Sequence, residues 1–384
     1  MKHGISWDIF CRVIDNFGDI GVCWRLAADL AARGCAVRLW VDDASALRWL
    51  APGALDGLWP NIRVHLWQTH GECRDLAALP RHDILVEGFG CDAPPQFLAH
   101  HWSDEPAGVP TTAPLRRWIN LEYLSAEGFV EKSHGLPSPV MHGPARGKTR
   151  HFFFPGLTTR SGGLLREPGL SARRTAFDAP HWLAARNLPI SPARRMSLFC
   201  YEPAALAQLI GQLQAGPNPT DLLVTAGRAT SAVQGVLGIS KTDQAPSHRF
   251  GALRPHFLPH LSQLDYDHLL WSCDLNFVRG EDSLVRAVWA GKPLVWQIYP
   301  QDDNSHHAKL LAMLDALSVP ASCRSFHLAW NGMESCLPPC EEMQWLGAAR
   351  EACQALESQT DLGSRLLEFV TATPQAFNTP AENR

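Results

Sequence analysis

Short apolar runs alternate with amphipathic stretches along most of this chain, and a chain with that rhythm can fold only around parallel sheets covered by helices. In the first half, strands are predicted at 5–14, 36–41, 62–67, 84–87 and 118–124. Between the first two, Ile20, Cys23, Trp24, Ala27, Leu30 and Ala31 recur at helical spacing and Gly34 follows as a stop signal. Strand, helix and strand joined by short connections make a right-handed parallel unit. Residues 137–150 are rich in Pro, Gly and basic side chains without periodicity, which predicts a long loop.

A linker is predicted at 187–195, where Pro189 and Pro192 flank Ile190 and Ser191. Beyond it the alternation restarts. Strands are expected at 196–201, 221–226, 274–278 and 293–298, and helices at 203–214, 229–237, 283–290, 304–317, 341–357 and 361–371, with a helical turn at 267–272. The chain has 384 residues, enough for two domains of ordinary size. The reading is therefore α/β: a first Rossmann-like unit over 1–188 and a second over 189–360, with a last helix over about 361–384.

Composition narrows the function. With 46% hydrophobic and 19% charged residues the chain is globular, and a net charge of -4 gives no basic field for nucleic acid. The 11 cysteines include no Cys-x-x-Cys, so neither a zinc site nor a redox pair is written, and the pattern fits a reducing cytoplasm. No signal-peptide pattern opens the chain and no apolar run is long enough for a membrane span.

Two motifs carry chemistry. The first, Asp15-Asn16-Phe17-Gly18-Asp19-Ile20-Gly21, follows the first predicted strand, where an open parallel sheet presents its crevice. Two carboxylates repel phosphate from the helix amides there, so the loop suits a cationic or proton-donating ligand. The plain structural alternative is that Asp19 caps a helix beginning at Ile20 while Asp15 accepts backbone bonds. Gly18 and Gly21 do not make Gly-x-Gly-x-x-Gly, which argues against a nicotinamide or flavin site.

The second motif, Arg279-Gly280-Glu281-Asp282-Ser283, lies at a strand-to-helix junction in the second half. A glycine turn and a positive first helical turn suit a diphosphate, with Ser283 as hydroxyl donor and Arg279 as counter-charge. The alternative is a simple helix cap at Asp282 or Ser283. Phe257 and Tyr266, with Gln263 between them, could hold a flat base, or be ordinary core aromatics. Tyr201 ends the first strand of the second half. His306 and His307 diverge by about 100° on a helix and make a poor chelating face. An N-cap at Asn304 or Ser305 with exposed imidazoles is the better expectation.

Together these blocks resemble the bacterial protein-arginine rhamnosyltransferases that modify translation elongation factor P. The resemblance rests on Ile14-Asp15-Asn16-Phe17-Gly18-Asp19-Ile20-Gly21-Val22 with Trp24-Arg25-Leu26, on Phe199-Cys200-Tyr201-Glu202, on Tyr266-Asp267 and on Arg279 to Ser283. Ala290-Gly291-Lys292-Pro293 and Trp296-Gln297-Ile298-Tyr299-Pro300-Gln301 extend it nearly to the end of the chain. It implies a GT-B fold, with the last helix crossing back to the first domain. It also implies dTDP-β-L-rhamnose as donor, an arginine of elongation factor P as acceptor, inversion at the anomeric carbon, and no metal or other cofactor.

By the same resemblance Phe257 and Tyr266 lie around thymine, with Gln263 and Tyr201 nearby. Asn16, Phe17, Gly18, Arg279, Gly280, Asp282 and Ser283 join the donor site, and Glu281 is the critical acid. Asp19 is expected as general base and Asp15 as its orienting partner, or the reverse. The competing readings are a GT-B transferase or 2-epimerase acting on a saccharide, which needs no acid pair for arginine, and a non-catalytic module that docks a translation factor.

Overall fold

The computed structural model describes residues 4–14, 17–67, 76–103, 116–240, 248–301 and 305–372. Asp15 and Asn16, and the last helix beyond 372, lie outside the described residues.

Two sheets organise the molecule. The first contains β1 (Ser6–Cys11), β2 (Ala36–Val41), β3 (Ile62–Leu66), β4 (Ile84–Gly88), β5 (Arg117–Leu121), β6 (Pro137–Pro139) and β7 (Thr149–Phe153). Their order is β3-β2-β1-β4-β5-β7-β6, parallel except for β6. The second contains β8 (Arg194–Leu198), β9 (Thr220–Val224), β10 (Leu253–Phe257), β11 (Leu275–Arg279) and β12 (Leu294–Gln297), all parallel in the order β10-β9-β8-β11-β12. β1 and β11 are buried along almost their whole length, because helices cover both faces of a parallel sheet.

Strand order reverses between β1 and β4 in one sheet and between β8 and β11 in the other. Open α/β sheets bind ligands at such points, beyond the carboxyl ends of the strands. The acidic motif follows β1 and the Arg279–Ser283 motif follows β11, so topology alone brings each to a crevice.

Helix Leu362–Thr371 returns to the first unit. Leu362, Leu366 and Val370 enter the core of Trp7, Ile9, Trp24 and Leu39. Asp361 caps this helix by accepting from Ser364 N at 2.9 Å, and Arg33 donates to Asp361 and Ser364 at 2.7 Å each. An added Cβ at Gly363 would lie 2.0 Å from Asp29 Oδ2, so the two helices meet where only glycine fits.

Some expectations are corrected. Residues 137–150 hold a short antiparallel pair, β6 with the start of β7, rather than one long loop, because Pro139 to Thr149 closes as a hairpin. No strand was predicted at β10, the edge of the second sheet, which tolerates Pro255 since an edge has one unpaired side. The first helix spans Gly18–Ala32, taking Asp19 into its first turn. Helix Ala321–Trp330 escaped the sequence reading. His306 is buried, with Nδ1 accepting from Gln301 N at 3.1 Å, and is not an exposed imidazole.

Candidate active site

Two adjoining cavities open between the sheets. The larger, about 1040 Å³, is bordered by Asp19, Glu281, Lys309, Tyr123 and Tyr299. The other, about 810 Å³, takes in Phe199, Tyr201, His260, Tyr266 and Arg279. Both are lined by Gly18, Gly280 and Glu281, so they meet at the two helix starts.

The acidic cavity is built on the loop after β1. Asp19 is 4% exposed, and its Oδ2 accepts from Ile14 N at 3.0 Å, which ties the helix start to the segment after β1. Asp19 therefore does not cap the helix, as the plain structural alternative held; it sits in the first turn, ties back to Ile14 and stands on the cavity wall. Glu281 accepts from Lys309 Nζ at 2.7 Å through Oε1 and from Leu124 N at 2.7 Å through Oε2. Burial pushes the Glu281 pKa above the usual carboxylate range; Lys309 and the Leu124 amide oppose this, and Asp19 adds to it.

The second cavity is aromatic and is lined by two arginines, Arg25 and Arg279. The Arg279 guanidinium carbon lies 4.5 Å from the Phe199 ring centroid and 4.4 Å from that of Tyr201. Nη1 donates to Cys200 O at 3.4 Å. Phe199 and Tyr201 are set by the end of β8, where Tyr201 N donates to Gln297 Oε1 at 2.7 Å. Gly280 adopts φ +64°, a conformation that favours glycine, and this turns the chain from β11 into helix Gly280–Ala290 under Tyr201. The acids of that first turn, Glu281 and Asp282, are engaged by Lys309 and Arg25, which leaves Arg279 and the turn amides to suit a diphosphate.

At the other end of this cavity, Trp49 packs against Phe17 (4.9 Å) and His260 (4.6 Å). Tyr266 lines the same space, and burial pushes its hydroxyl pKa up, so it stays a neutral phenol. A flat heteroaromatic base fits among these rings.

Beneath both cavities runs a buried ionic cluster that joins the two units. Arg25, 4% exposed, contacts Asp282 at 2.9 Å, Asp267 at 3.1 Å, Glu167 at 3.4 Å and Gln263 O at 3.2 Å. Arg286, 2% exposed, binds Asp267 through two hydrogen bonds of 2.8 and 2.6 Å and Glu167 at 2.7 Å. Burial opposes ionisation of Glu167, but Arg286 and Arg25 outweigh it and hold its pKa at about 2. Burial raises the Asp282 carboxyl, with Arg25 and Arg286 pulling it back.

The structure brings Phe17, Gly18, Tyr201, Gln263, Tyr266, Arg279, Gly280, Glu281, Asp282 and Ser283 to one cavity, and Asp19 to its neighbour. Several do so differently from the sequence expectation. Asp282 turns its carboxylate to Arg25, and Ser283 Oγ bonds the backbone of Arg279, accepting from N at 3.1 Å and donating to O. Gln263 spends its amide on Gly21 O at 2.8 Å, across the cleft. Phe257 is not among the lining residues; it packs against the core of the second unit, and His260 stands by the cavity instead.

Arg25, Phe199, Trp49, His260 and Lys309 were missed. A lone arginine inside the apolar stripe 20–31 was a usable signal for Arg25. Lys309, in an ordinary amphipathic helix, had none. Among the described residues no group of three or more His, Cys, Asp or Glu is placed to hold a metal, and no helix is long and apolar enough to cross a membrane.

Comparison with known proteins agrees with this geometry. The family described as elongation-factor P (EF-P) rhamnosyltransferase EarP matches residues 7–371. A protein-arginine rhamnosyltransferase of Pseudomonas aeruginosa is 40% identical over 395 aligned residues, covering 95% of this chain and 98% of its own. Another, from Neisseria meningitidis, is 36% identical, covering 81% and 78%. A solved structure described as the structural basis for EarP-mediated arginine glycosylation of translation elongation factor EF-P superposes with a TM-score of 0.62 at 29% identity, covering 95% of this chain and 98% of that one. The fold is GT-B.

Proposed function

The chain belongs to the family of elongation factor P rhamnosyltransferases, and from that premise we propose that its cleft moves L-rhamnose from dTDP-β-L-rhamnose to an arginine side chain of translation elongation factor P, with inversion and without a metal. In this reading residues 1–188 receive the acceptor and 189–360 hold the nucleotide sugar. The observation that carries it is the meeting of an acidic cavity and an aromatic, arginine-bearing cavity at Gly18, Gly280 and Glu281.

The dTDP would lie in the aromatic cavity, thymine among His260, Tyr266 and Trp49, diphosphate against Arg279 and the amides of the Gly280 turn. The anomeric carbon then falls at the junction beside Glu281, and the acceptor guanidinium enters the acidic cavity. A guanidinium has a pKa above about 12 and is a poor nucleophile while its charge is delocalised. Asp19, with Asp15 as the second acid of the motif, grips its fork through charge-assisted hydrogen bonds.

An aspartate of ordinary pKa near about 4 cannot strip the proton in advance. Deprotonation is therefore concerted with attack: the N–C bond forms, the proton passes to Asp19, and the C–O bond breaks to release dTDP. Arg279 and the helix amides take up the charge on the leaving diphosphate, the part a metal plays elsewhere. Modification of a translation factor places the reaction in the cytoplasm.

Incubation with elongation factor P and dTDP-β-L-rhamnose, against UDP-glucose and GDP-mannose as controls, tests the proposal. A single deoxyhexose mass increase on an arginine, seen only with the first donor and α-linked by NMR, is expected. No transfer with an active acceptor, or a β-linked product, contradicts it.

A further inference from the structure

Lys309 lies on helix Ser305–Ala316 and reaches the acidic cavity with its side chain 23% exposed. Its Nζ is 2.7 Å from Glu281 Oε1 and 5.8 Å from the Tyr123 ring centroid. The other oxygen of Glu281 accepts from the Leu124 amide, which belongs to the segment after β5 in the first unit. One cation and one amide, from opposite sides of the cleft, thus fix the rotation of a single carboxylate at the junction of the two cavities.

The groups facing Glu281 can be named element by element. Helix Gly18–Ala32 contributes Asp19, and the segment after β5 contributes Tyr123 and the Leu124 amide. Helix Ser305–Ala316 contributes Lys309 and His306. On its own helix, Asp282 is engaged by Arg25, and Arg279 precedes it between two rings. Among the described residues Lys309 is the cation hydrogen-bonded to this carboxylate. Burial and Asp19 favour the neutral acid, and Lys309 is the largest influence against them.

We propose that Lys309 is a positioning residue for the transfer, acting through Glu281: its ammonium aims the carboxylate at the junction and keeps it anionic while positive charge develops on the sugar. This rests on the reading above, in which Glu281 borders the reacting carbon. A neutral acid offers that charge little stabilisation, whereas a fixed, mostly buried carboxylate offers much. The ion pair also cancels a cation that would otherwise repel the incoming guanidinium.

The sign of the pH effect follows. Activity that needs the Glu281 carboxylate is lost as pH falls through its pKa. Removing Lys309 raises that pKa, so the acid limb of kcat moves to higher pH. An opposite charge at this distance moves a carboxyl by about 1–3 units, so a shift of about one unit or more is expected.

The experiment compares wild type, Lys309→Met, Lys309→Gln, Lys309→Arg, Glu281→Gln and the double variant Lys309→Met/Glu281→Gln. Each is assayed for kcat across pH, for dTDP affinity by calorimetry and for thermal midpoint. Wild-type transfer is established first; its failure sinks the function, while the inference is judged only against a wild type that transfers. Expected are a kcat lowered about tenfold on the acid limb in Lys309→Met, that limb shifted upward, and unchanged dTDP affinity. Lys309→Arg should restore both kcat and profile, and Lys309→Met should add nothing to Glu281→Gln. Lys309→Gln carries the same expectations should the methionine variant fold poorly. A wild-type pH profile in both neutral variants, additivity with Glu281→Gln, or loss of dTDP affinity overturns the proposal.

Discussion

At the scale of single residues, the two cavities differ in what they ask of a side chain. Arg279 is held between Phe199 and Tyr201 by its flat, delocalised cation, which lysine cannot reproduce. Arg279→Lys should weaken dTDP binding by about tenfold, read by calorimetry, since each lost cation–π contact is worth about 0.5–2 kcal/mol. His260 and Phe257 make a sharper pair. If the base stacks at His260, His260→Ala lowers dTDP affinity by about 1–3 kcal/mol, while Phe257→Leu leaves it unchanged because that ring packs in the core. The sequence pointed to the stretch 257–266 as cavity-lining but could not choose within it: His260 and Tyr266 line the cavity and Phe257 does not. Where β10 ends decides which ring leaves the core, and Pro255 disguised the strand. Asp282 and Ser283 were legible as a helix start, whereas their commitments to Arg25 and to the Arg279 backbone depend on a partner far away and on a rotamer.

At the scale of elements, the contact between helices Gly18–Ala32 and Leu362–Thr371 can be tested apart from catalysis. Gly363→Ala pushes a methyl group into Asp29 and should cost about 1–3 kcal/mol of stability, measured by denaturant unfolding. The same contact carries a pH signature. Burial raises Asp29 to about 7 despite Arg33, and burial likewise raises Glu87 to about 7. Because these folded-state values lie above the unfolded ones, each of the two carboxyls holds more proton in the folded chain between about pH 4 and 7, and its own contribution to stability falls as pH rises through that window. Burial lowers His101, His134 and His327 to about 4, and these act in the opposite direction over the same window, so the Asp29 part is read by difference: wild type should lose thermal midpoint relative to Asp29→Asn, which keeps an acceptor for Arg33, as pH rises from about 4 to 7. Strands and helices with strong periodicity were readable because burial on one face imposes it. The hairpin at 137–153 was not, since its short strands carry prolines and half-exposed side chains.

At the scale of the whole molecule, two units are joined by an ionic cluster whose members are distant in sequence; Arg25 and Asp282 are separated by 257 positions. Alternation that restarts after a proline-rich linker revealed two sheets, and strand ends revealed where each opens. The pairing of one opening against the other was invisible, because no local pattern encodes a contact of that span. Arg25→Met leaves Asp282, Asp267 and Glu167 crowded around Arg286 alone, and breaking such a buried cluster costs about 3–5 kcal/mol. Calorimetry should show a lower midpoint, and small-angle scattering a larger radius of gyration, as the cleft opens. An unchanged radius would mean that the remaining contacts, among them Gln263 with Gly21 O and Glu281 with the Leu124 amide, hold the units together without Arg25.

In the proposed reaction the cleft divides its labour, with Asp19 serving the proton and Arg279 the nucleotide. Asp19→Asn tests it most directly when single-turnover rhamnosyl transfer to elongation factor P and dTDP affinity are measured on the same preparation. The account predicts a transfer rate lower by about 100-fold or more with dTDP affinity unchanged. A wild-type transfer rate, or a loss of dTDP affinity that matches the loss of rate, would contradict it.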